Sequence, residues 1–583
     1  MAAASELSQR GGGWLLETPT SIYSPEDFDE ATRELAKITR QFVERDVLPK
    51  LERMEAGELD LNIPLMERAG ELGALAVEIP EEYGGLDLPK VVSAVVTEEL
   101  AAAGGFAVTM TAHTSIGSLP LVYFGTDEQK RRYLSRLASG EWIAAYALTE
   151  ANSGSDALAA RTRATLSADG THYLLNGTKQ FISNAGFANV FTVFAQVDGE
   201  QFTAFLVERD FPGVSFGNEE QKMGIKSSST RQVILQNAEV PRENVLGEIG
   251  KGHRIAFNVL NVGRFKLGAS SVGGAKRALE QSTRYALERN QFGQPIASFG
   301  LIQQKLARMA TRLFASESAV YRTIGLIDTA IGGRAGADAA LSSIQEYLIE
   351  CSILKVLGTE MLDYVLDEAV QIHGGYGYLH DFPIERAYRD SRIQRIFEGT
   401  NEINRLLIPD MLMRRAMKGD LPLISAANRL RGELLEPNFE QPEGEWALER
   451  AQVANLKKLV LFVAGLAVER FGTALEHEQE VLAVIANIVI EAFAAESALL
   501  RAMQLERPVA STMARLYLDS ALEVGSREAT YGLSRLGAGD ELRTYLSIAR
   551  RLTRREPFDI VEAERKIAAN VIESQGYPTF VRG

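Results

Sequence analysis

Apolar residues recur at three- and four-residue spacing over 27–51 and 65–75, and 91–103 runs without a breaker. This spacing puts one apolar face on each helix, so residues 25–135 are expected to be mainly helical. Pro80-Glu-Glu-Tyr-Gly-Gly85 interrupts them as a loop. From about residue 145 the helical period disappears. Thr, Val, Phe and Ile dominate 161–246, with turn pairs at Asp169-Gly170, Asn176-Gly177 and Asp198-Gly199. Phe191-Thr-Val-Phe-Ala195 and Phe202-Thr-Ala-Phe-Leu-Val207 flank the last pair, which is the pattern of a hairpin. Helical character returns at Gly252. The stretches 275–289, 301–331 and 338–371 are long and free of proline, and Gly374-Gly-Tyr-Gly377 and Glu398-Gly-Thr400 break them. The segment 419–444 carries Pro422, Pro437 and Pro442 and reads as a linker or loose crossing. Residues 445–575 are helical again.

The predicted fold is α+β and mainly α. A helical domain (1–145) precedes a central antiparallel β domain (146–250), then a helical-bundle domain (251–416) and a further helical extension (417–583). The length, 583 residues, agrees with about four domains of roughly 150 residues each.

Composition narrows the chemistry. The net charge of −15 argues against a general nucleic-acid binder, which needs clustered Lys and Arg to meet phosphates. The single Cys351 excludes an intrachain disulfide and suits a reducing compartment. The first 20 residues hold one basic residue, Arg10, and no hydrophobic core segment, so no signal peptide is expected and a cytoplasmic location is. The clearest apolar runs, 459–468 and 481–490, have ten residues each against the roughly 20 that a bilayer requires. They read as core helices, and no spanning helix is expected. P-loop, HExxH, GxSxG and CxxC motifs are absent, and the six histidines lack metal-ligand spacing, so no metal is expected.

Candidate chemistry sits at element ends. Tyr146-Ala-Leu-Thr-Glu-Ala-Asn-Ser-Gly-Ser-Asp156 lies where helix gives way to strand. Its small residues leave backbone N–H groups open to a phosphate or a flavin edge, and a purely structural loop reads the same way. In Arg392-Ile-Gln-Arg-Ile-Phe-Glu-Gly-Thr-Asn-Glu-Ile403, Glu398 follows two apolar residues and precedes a glycine. Apolar surroundings raise a carboxyl pKa toward that of a useful base. A helix-capping or ion-paired carboxylate fits that segment equally.

Five segments in this order resemble the acyl-CoA dehydrogenase family over residues 30–415. They are Ala145-Tyr-Ala-Leu-Thr-Glu-Ala-Asn-Ser-Gly-Ser-Asp156, Lys179-Gln-Phe-Ile-Ser-Asn-Ala-Gly186, Arg289-Asn-Gln-Phe-Gly293, Gln371-Ile-His-Gly-Gly375 and Phe397-Glu-Gly-Thr-Asn-Glu402. Asn258-Val-Leu-Asn-Val-Gly-Arg264 and Phe299-Gly-Leu-Ile-Gln-Gln-Lys-Leu-Ala-Arg-Met309 resemble the very-long-chain branch, which carries an extra helical domain. The resemblance implies an FAD enzyme that oxidises fatty acyl-CoA to trans-2-enoyl-CoA, the first step of β-oxidation, and passes electrons to an electron-transfer flavoprotein. An acyl-CoA oxidase and a respiratory-complex assembly scaffold are the alternatives.

Residue by residue, the resemblance makes Glu398 the base. Tyr146, Leu148, Thr149, Gly154 and Ser155 would lie along the flavin, with Phe181, Ile182 and Ser183 on its other side. Arg289, Gln291 and Phe299 would reach the FAD of a neighbouring subunit in a homodimer. Gln371, Gly374 and Gly375 would meet the FAD pyrophosphate and adenosine, and Thr400, Asn401 and Glu402 would contact FAD beside the base. Ser155, Asn261, Arg264 and Gly399 would hold the acyl-CoA. Some branches place the base immediately before the arginine matching Arg264, and here that position is Gly263. Ala151-Asn152 stands where many members have Pro-Gly or Pro-Ser, Phe181 where many have Trp, and Glu402 where some have Gln.

The segment Ala101-Ala-Ala-Gly-Gly-Phe-Ala-Val-Thr-Met-Thr-Ala-His113 is expected to line the acyl pocket. Gly104 and Gly105 would leave room for a long tail, whereas Phe106 or Met110 would close it. The segment 411–432 carries Arg414, Arg415, Lys418, Arg429 and Arg431 against Asp420. It reads either as a peripheral membrane contact or as a packed connector.

Overall fold

The computed structural model describes residues 7–334, 336–434 and 443–580. Its first helical unit runs α1 (Glu30–Phe42), α2 (Leu51–Glu55), α3 (Asn62–Glu71), α4 (Lys90–Leu100), α5 (Gly105–Ala112), α6 (Leu119–Phe124) and α7 (Asp127–Ser139). Asp29 caps α1 by accepting from Thr32 N–H, and Thr126 with Gln129 forms a capping box at α7.

Strands β1 (Ala144–Ala147), β2 (Arg163–Leu166), β3 (His172–Ser183), β4 (Val190–Val197), β5 (Gln201–Glu208), β6 (Val214–Phe216), β7 (Thr230–Pro241) and β8 (Val245–Leu246) form one sheet. The order is β6-β7-β3-β2-β4-β5-β8, with β1 beside β4. The expected sheet was antiparallel; β4 in fact pairs in parallel with β1 and with β2, so the sheet is mixed. Asp198 and Gly199, with φ of 53° and 83°, turn β4 into β5 as expected. Asn176-Gly177 is not a turn. It lies inside β3 at a register shift against β7, where Gly177 packs so closely on Thr162 that a Cβ would overlap it.

The next unit contains α8 (Gly252–Glu288), the ribbon β9 (Asn290–Gln291) and β10 (Gln294–Pro295), α9 (Gly300–Ile331), α10 (Ala337–Glu346), α11 (Leu348–His373), α12 (Pro383–Ser391) and α13 (Asn401–Lys418). The stretch expected as one helix over 338–371 breaks at Tyr347, which leaves helical geometry at φ −104° and ψ 26°. The extension comprises α14 (Leu423–Glu433), α15 (Ala447–Phe471), α16 (Gln479–Leu505), α17 (Pro508–Leu536), α18 (Gly539–Leu552) and α19 (Ile560–Glu573). Helix α14 occupies part of the expected linker; its stretch 435–442 lies outside the described residues.

Two helical segments, 447–477 and 479–505, are long and apolar enough to cross a membrane, contrary to the expectation from the ten-residue runs. Helical alanines join the runs into longer segments. In α16 83% of the most apolar window is buried inside the protein, the property of a core helix.

The extension is locked to the rest by buried charges. Arg501 on α16 bridges Glu26 and Glu317, each at 2.6 Å, and all three side chains are nearly inaccessible. Arg322 on α9 meets Glu496 at 2.9 Å, and Lys457 on α15 pairs with the same carboxylate. A strap N-terminal to α1 runs through this junction. Gly11 and Gly12 donate their N–H groups to Glu346 and Glu350, and Trp14 packs on Phe493 with centroids 4.9 Å apart.

Candidate active site

Glu398 sits between α12 and α13, where Thr400 caps α13 by accepting from Ile403 N–H. Both Glu398 and Gly399 adopt the left-handed conformation, at φ 57° and 80°. That geometry is natural for the glycine and strained for the glutamate, and such strain persists only where surroundings impose it. Arg264, buried in α8, supplies part of that constraint. Its Nε approaches the Glu398 carbonyl at 3.4 Å, and its Nη1 donates to Asn261 Oδ1 at 2.8 Å. The turn aims the carboxylate inward over Gly263, and Oε2 is buried without a hydrogen-bond partner.

Burial pushes the Glu398 carboxyl up to about 7, with Arg264 and then Lys355 opposing the rise. The Tyr146 hydroxyl in β1 is also buried and unpartnered, and burial plus the nearby Glu398 charge raises it well above the ordinary tyrosine range. A carboxylate poised near neutrality with one free oxygen can take a proton from a bound ligand.

Glu398, Phe397 and Gly263 line a cavity of about 520 Å³, together with Ser183. One wall is a stripe along α8 of Gly263, Leu267, Ser270, Gly274 and Ala278. By the helical rise of 1.5 Å per residue, the lining from Gly263 to Gln281 extends roughly 27 Å. The facing wall contains Ala101, Ala102, Gly104, Ala107, Val108, Thr111 and Ala112. Phe106 and Met110, the residues that in the alternative reading would close the pocket, are fully buried in the core against the sheet and do not line it. Gly105 also faces away, against Ser227 and Ser228. The helical phase of α5 puts 104, 107, 108, 111 and 112 on the cavity side and 106 and 110 on the other.

The other sequence-selected residues fall into two groups. Around Glu398 lie Tyr146, Asn261, Arg264, Gly399, Thr400 and Asn401. Beside them, the backbone N–H of Gln180 donates to the Thr149 carbonyl, joining the loop after β1 to β3. Phe181 is half exposed with φ 60°, and Ser183 faces the cavity. The Ile182 and Leu148 side chains belong to the apolar core, so neither presents a side chain to an open site. Gly154 and Ser155 are exposed, and Glu402 is exposed with its carboxyl held down chiefly by its own backbone N–H.

The second group lies in the β9–β10 ribbon and the turn after α11. Arg289 stacks over Tyr376, Phe292 meets Phe299 edge-on, and Gln291 and Gln371 are exposed. Gly374 and Gly375 have open space where a side chain would project. Among the described residues, no hydrogen bond or ion pair joins Arg289, Gln291 or Phe299 to Glu398.

Two residues were missed by the sequence reading. Lys266 on α8 lines the cavity while its ammonium meets Glu78 at 2.5 Å. Lys355 on α11 is fully buried and donates to Asn401 Oδ1 at 2.6 Å. For Lys355 the available signal was a lysine set inside the apolar run Ile353-Leu354-Lys355-Val356-Leu357, since lysine is almost never buried without a partner. The histidines behave as expected of structural ones. His113, for example, lies between Leu137 O and Ala144 N, and burial lowers it to about 4. No metal-binding group of His, Cys, Asp or Glu occurs among the described residues.

Known proteins share this fold. The chain matches the N-terminal domain of acyl-CoA dehydrogenase over residues 29–141, the middle domain over 145–238, and two C-terminal domains over 250–413 and 455–551. A probable acyl-CoA dehydrogenase of Bacillus subtilis (strain 168) is 49% identical over 597 residues, covering 99% of this chain and 100% of that protein. The mitochondrial very long-chain specific acyl-CoA dehydrogenase of Bos taurus is 41% identical, and the match covers 66% of this chain but only 58% of that protein. The crystal structure of an acyl-CoA dehydrogenase complexed with FAD from Bacillus anthracis superimposes with a TM-score of 0.95 at 50% identity, covering 98% of this chain and 100% of that one. A helical–sheet–helical core with a strained, buried glutamate over a long cavity, matched in sequence along nearly its whole length, places this chain in the acyl-CoA dehydrogenase family, oxidoreductases that act on CH–CH bonds.

Proposed function

We propose that the protein is an FAD-dependent dehydrogenase that converts long-chain fatty acyl-CoA to trans-2-enoyl-CoA. The observation that carries this reading is the Glu398 carboxylate, buried and with Oε2 free, aimed into the cavity. The residues present fit FAD. The unpartnered Tyr146 hydroxyl, the open faces of Gly154, Gly374 and Gly375, and the half-exposed Phe181 ring offer a donor, close backbone approach and an aromatic wall. When bound, FAD supplies the acceptor for the hydride that leaves Cβ.

The chain's own residues do the rest. Glu398 removes the α-proton. Its backbone N–H donates to the thioester oxygen, stabilising the charge that develops there. Arg264 fixes the turn that orients both groups. The acyl tail displaces water from the cavity, which strengthens the carboxylate as a base. Small side chains along both walls support a long tail.

In this reading the exposed Phe292, Leu301 and Tyr378 near Arg289 are buried by a second copy in a homodimer. Electrons pass to an electron-transfer flavoprotein. The protein is cytoplasmic, and the segment 411–432, with Met417 and Ile424 exposed, supplies a peripheral membrane contact. Anaerobic titration of the purified protein with palmitoyl-CoA tests the activity. A yellow protein that bleaches supports it. Rapid peroxide formation in air favours an oxidase, and a colourless protein that cannot take up FAD favours a scaffold.

A further inference from the structure

Lys355 is an ammonium-bearing side chain with no exposed surface. It donates to Asn401 Oδ1 at 2.6 Å, and no carboxylate is in direct contact with it among the described residues. Asn401 is itself fixed, donating through Nδ2 to Thr359 Oγ1 at 3.1 Å and Glu360 Oε1 at 3.0 Å. Glu360 in turn holds Arg405 in a two-point ion pair. The lysine is therefore pinned by a neutral amide at the first residue of α13, three positions beyond Glu398. A buried cation needs a counter-charge; Glu360 shares the Asn401 amide, and Glu398 lies three positions before that amide on the turn into α13.

Resting on the reading of Glu398 as the base, we propose that Lys355 is a positioning residue that acts on Glu398 through space, keeping it a carboxylate when the acyl tail has expelled water. Burial alone would leave Glu398 protonated and unable to accept a proton. Two cations offset that, Arg264 from α8 and Lys355 from α11. Arg264 also holds the backbone turn, so the lysine's contribution is electrostatic and separable. The other titratable groups facing this region are Tyr146 on β1, Cys351 on α11 beside Arg264, Glu360 on α11 and Glu402 on α13. Burial lowers Lys355 to about 7, with Glu398 the leading opposing influence, so the two charges support each other around neutrality.

The test compares wild type, Lys355→Met, Lys355→Gln and Lys355→Arg as FAD-loaded proteins. Flavin reduction by palmitoyl-CoA is followed anaerobically across pH 5.5–9. The expected result is an upward shift of the rate midpoint by about one pH unit in the Met and Gln variants, with little shift in Arg. Gln keeps a donor for Asn401 without the charge, so a wild-type midpoint in Gln would overturn the proposal. Denaturation of wild type, Lys355→Gln, Glu398→Gln and the double variant at pH 7, where both groups carry charge, reads the same pair without turnover. Non-additive changes in stability support the proposal and additive changes overturn it. Were wild type not reduced by any acyl-CoA, the functional reading would fail while this cycle still reported on the pair.

Discussion

A Cβ built on Gly263 would stand 2.5 Å from Oε2 of Glu398. The carboxylate thus occupies the space that any side chain at 263 would claim, and the glutamate and the missing side chain are two halves of one arrangement. Gly263→Ala is expected to displace the carboxylate by about an ångström. Misplacement on that scale costs on the order of 10²-fold in rate. Stopped-flow bleaching of the flavin by palmitoyl-CoA measures it, and unchanged FAD content separates displacement from misfolding.

Glu398→Gln removes the proposed base and keeps the shape. It is expected to retain FAD and to bind acyl-CoA, but to lose at least about 10³-fold in flavin reduction. Near-normal reduction would show that another group takes the proton.

The same substitution has a second effect, on stability. The Glu398 carboxyl lies at about 7 in the folded protein against 4.5 as a free side chain. The folded state therefore holds its proton more tightly, and its contribution is complete below about pH 4.5 and lost as pH rises through 7. The difference amounts to about 3 kcal/mol. Glu398→Gln should be more resistant to denaturant than wild type at pH 8, with the advantage vanishing near pH 4.5. The rate of flavin reduction in wild type should rise across the same interval, as the base ionises.

Val108 and Ala112 lie one turn apart on the cavity face of α5. Val108→Phe with Ala112→Phe should fill part of the acyl tunnel. The expected outcome is a loss of kcat/KM for palmitoyl-CoA with butyryl-CoA unaffected, measured across acyl lengths. Equal losses at all lengths would place the tail elsewhere.

Arg501→Met would leave Glu26 and Glu317 buried without their shared cation. Breaking a buried pair from one side costs about 3–5 kcal/mol. Chemical denaturation should show that loss, and limited proteolysis should release α15–α19 sooner than in wild type.

Much of this was legible in the chain. The change from helical period to alternating strands near 145 marks the start of the sheet, and Asp198-Gly199 marks its tightest hairpin because both positions need positive φ. Asn176-Gly177 misleads because the same residue pair also suits a bulge, where Gly177 lets the backbone approach Thr162. Of the segment 101–113, Gly104 lines the cavity, while Gly105, Phe106 and Met110 turn away from it. Gly104, with φ 58° and ψ −136°, resets the helix between α4 and α5, and the rotation of α5 after that break is fixed by tertiary packing. Glu398 was found through its motif. Lys355 was not, because its partner Asn401 is 46 residues away and only the fold brings the two together.

The strap before α1 bears on how the chain is made. Ile22 exchanges both of its backbone hydrogen bonds with the side-chain amide of Gln504, 482 positions later. At about 5–20 residues per second, the ribosome takes roughly 25–100 s to reach that glutamine after Ile22 has emerged. Trp14 has no Phe493 to pack on for the whole interval. The strap, made long before its partners, is therefore among the last segments to be seated, and for that period a nascent-chain chaperone has a tryptophan-bearing apolar segment to hold.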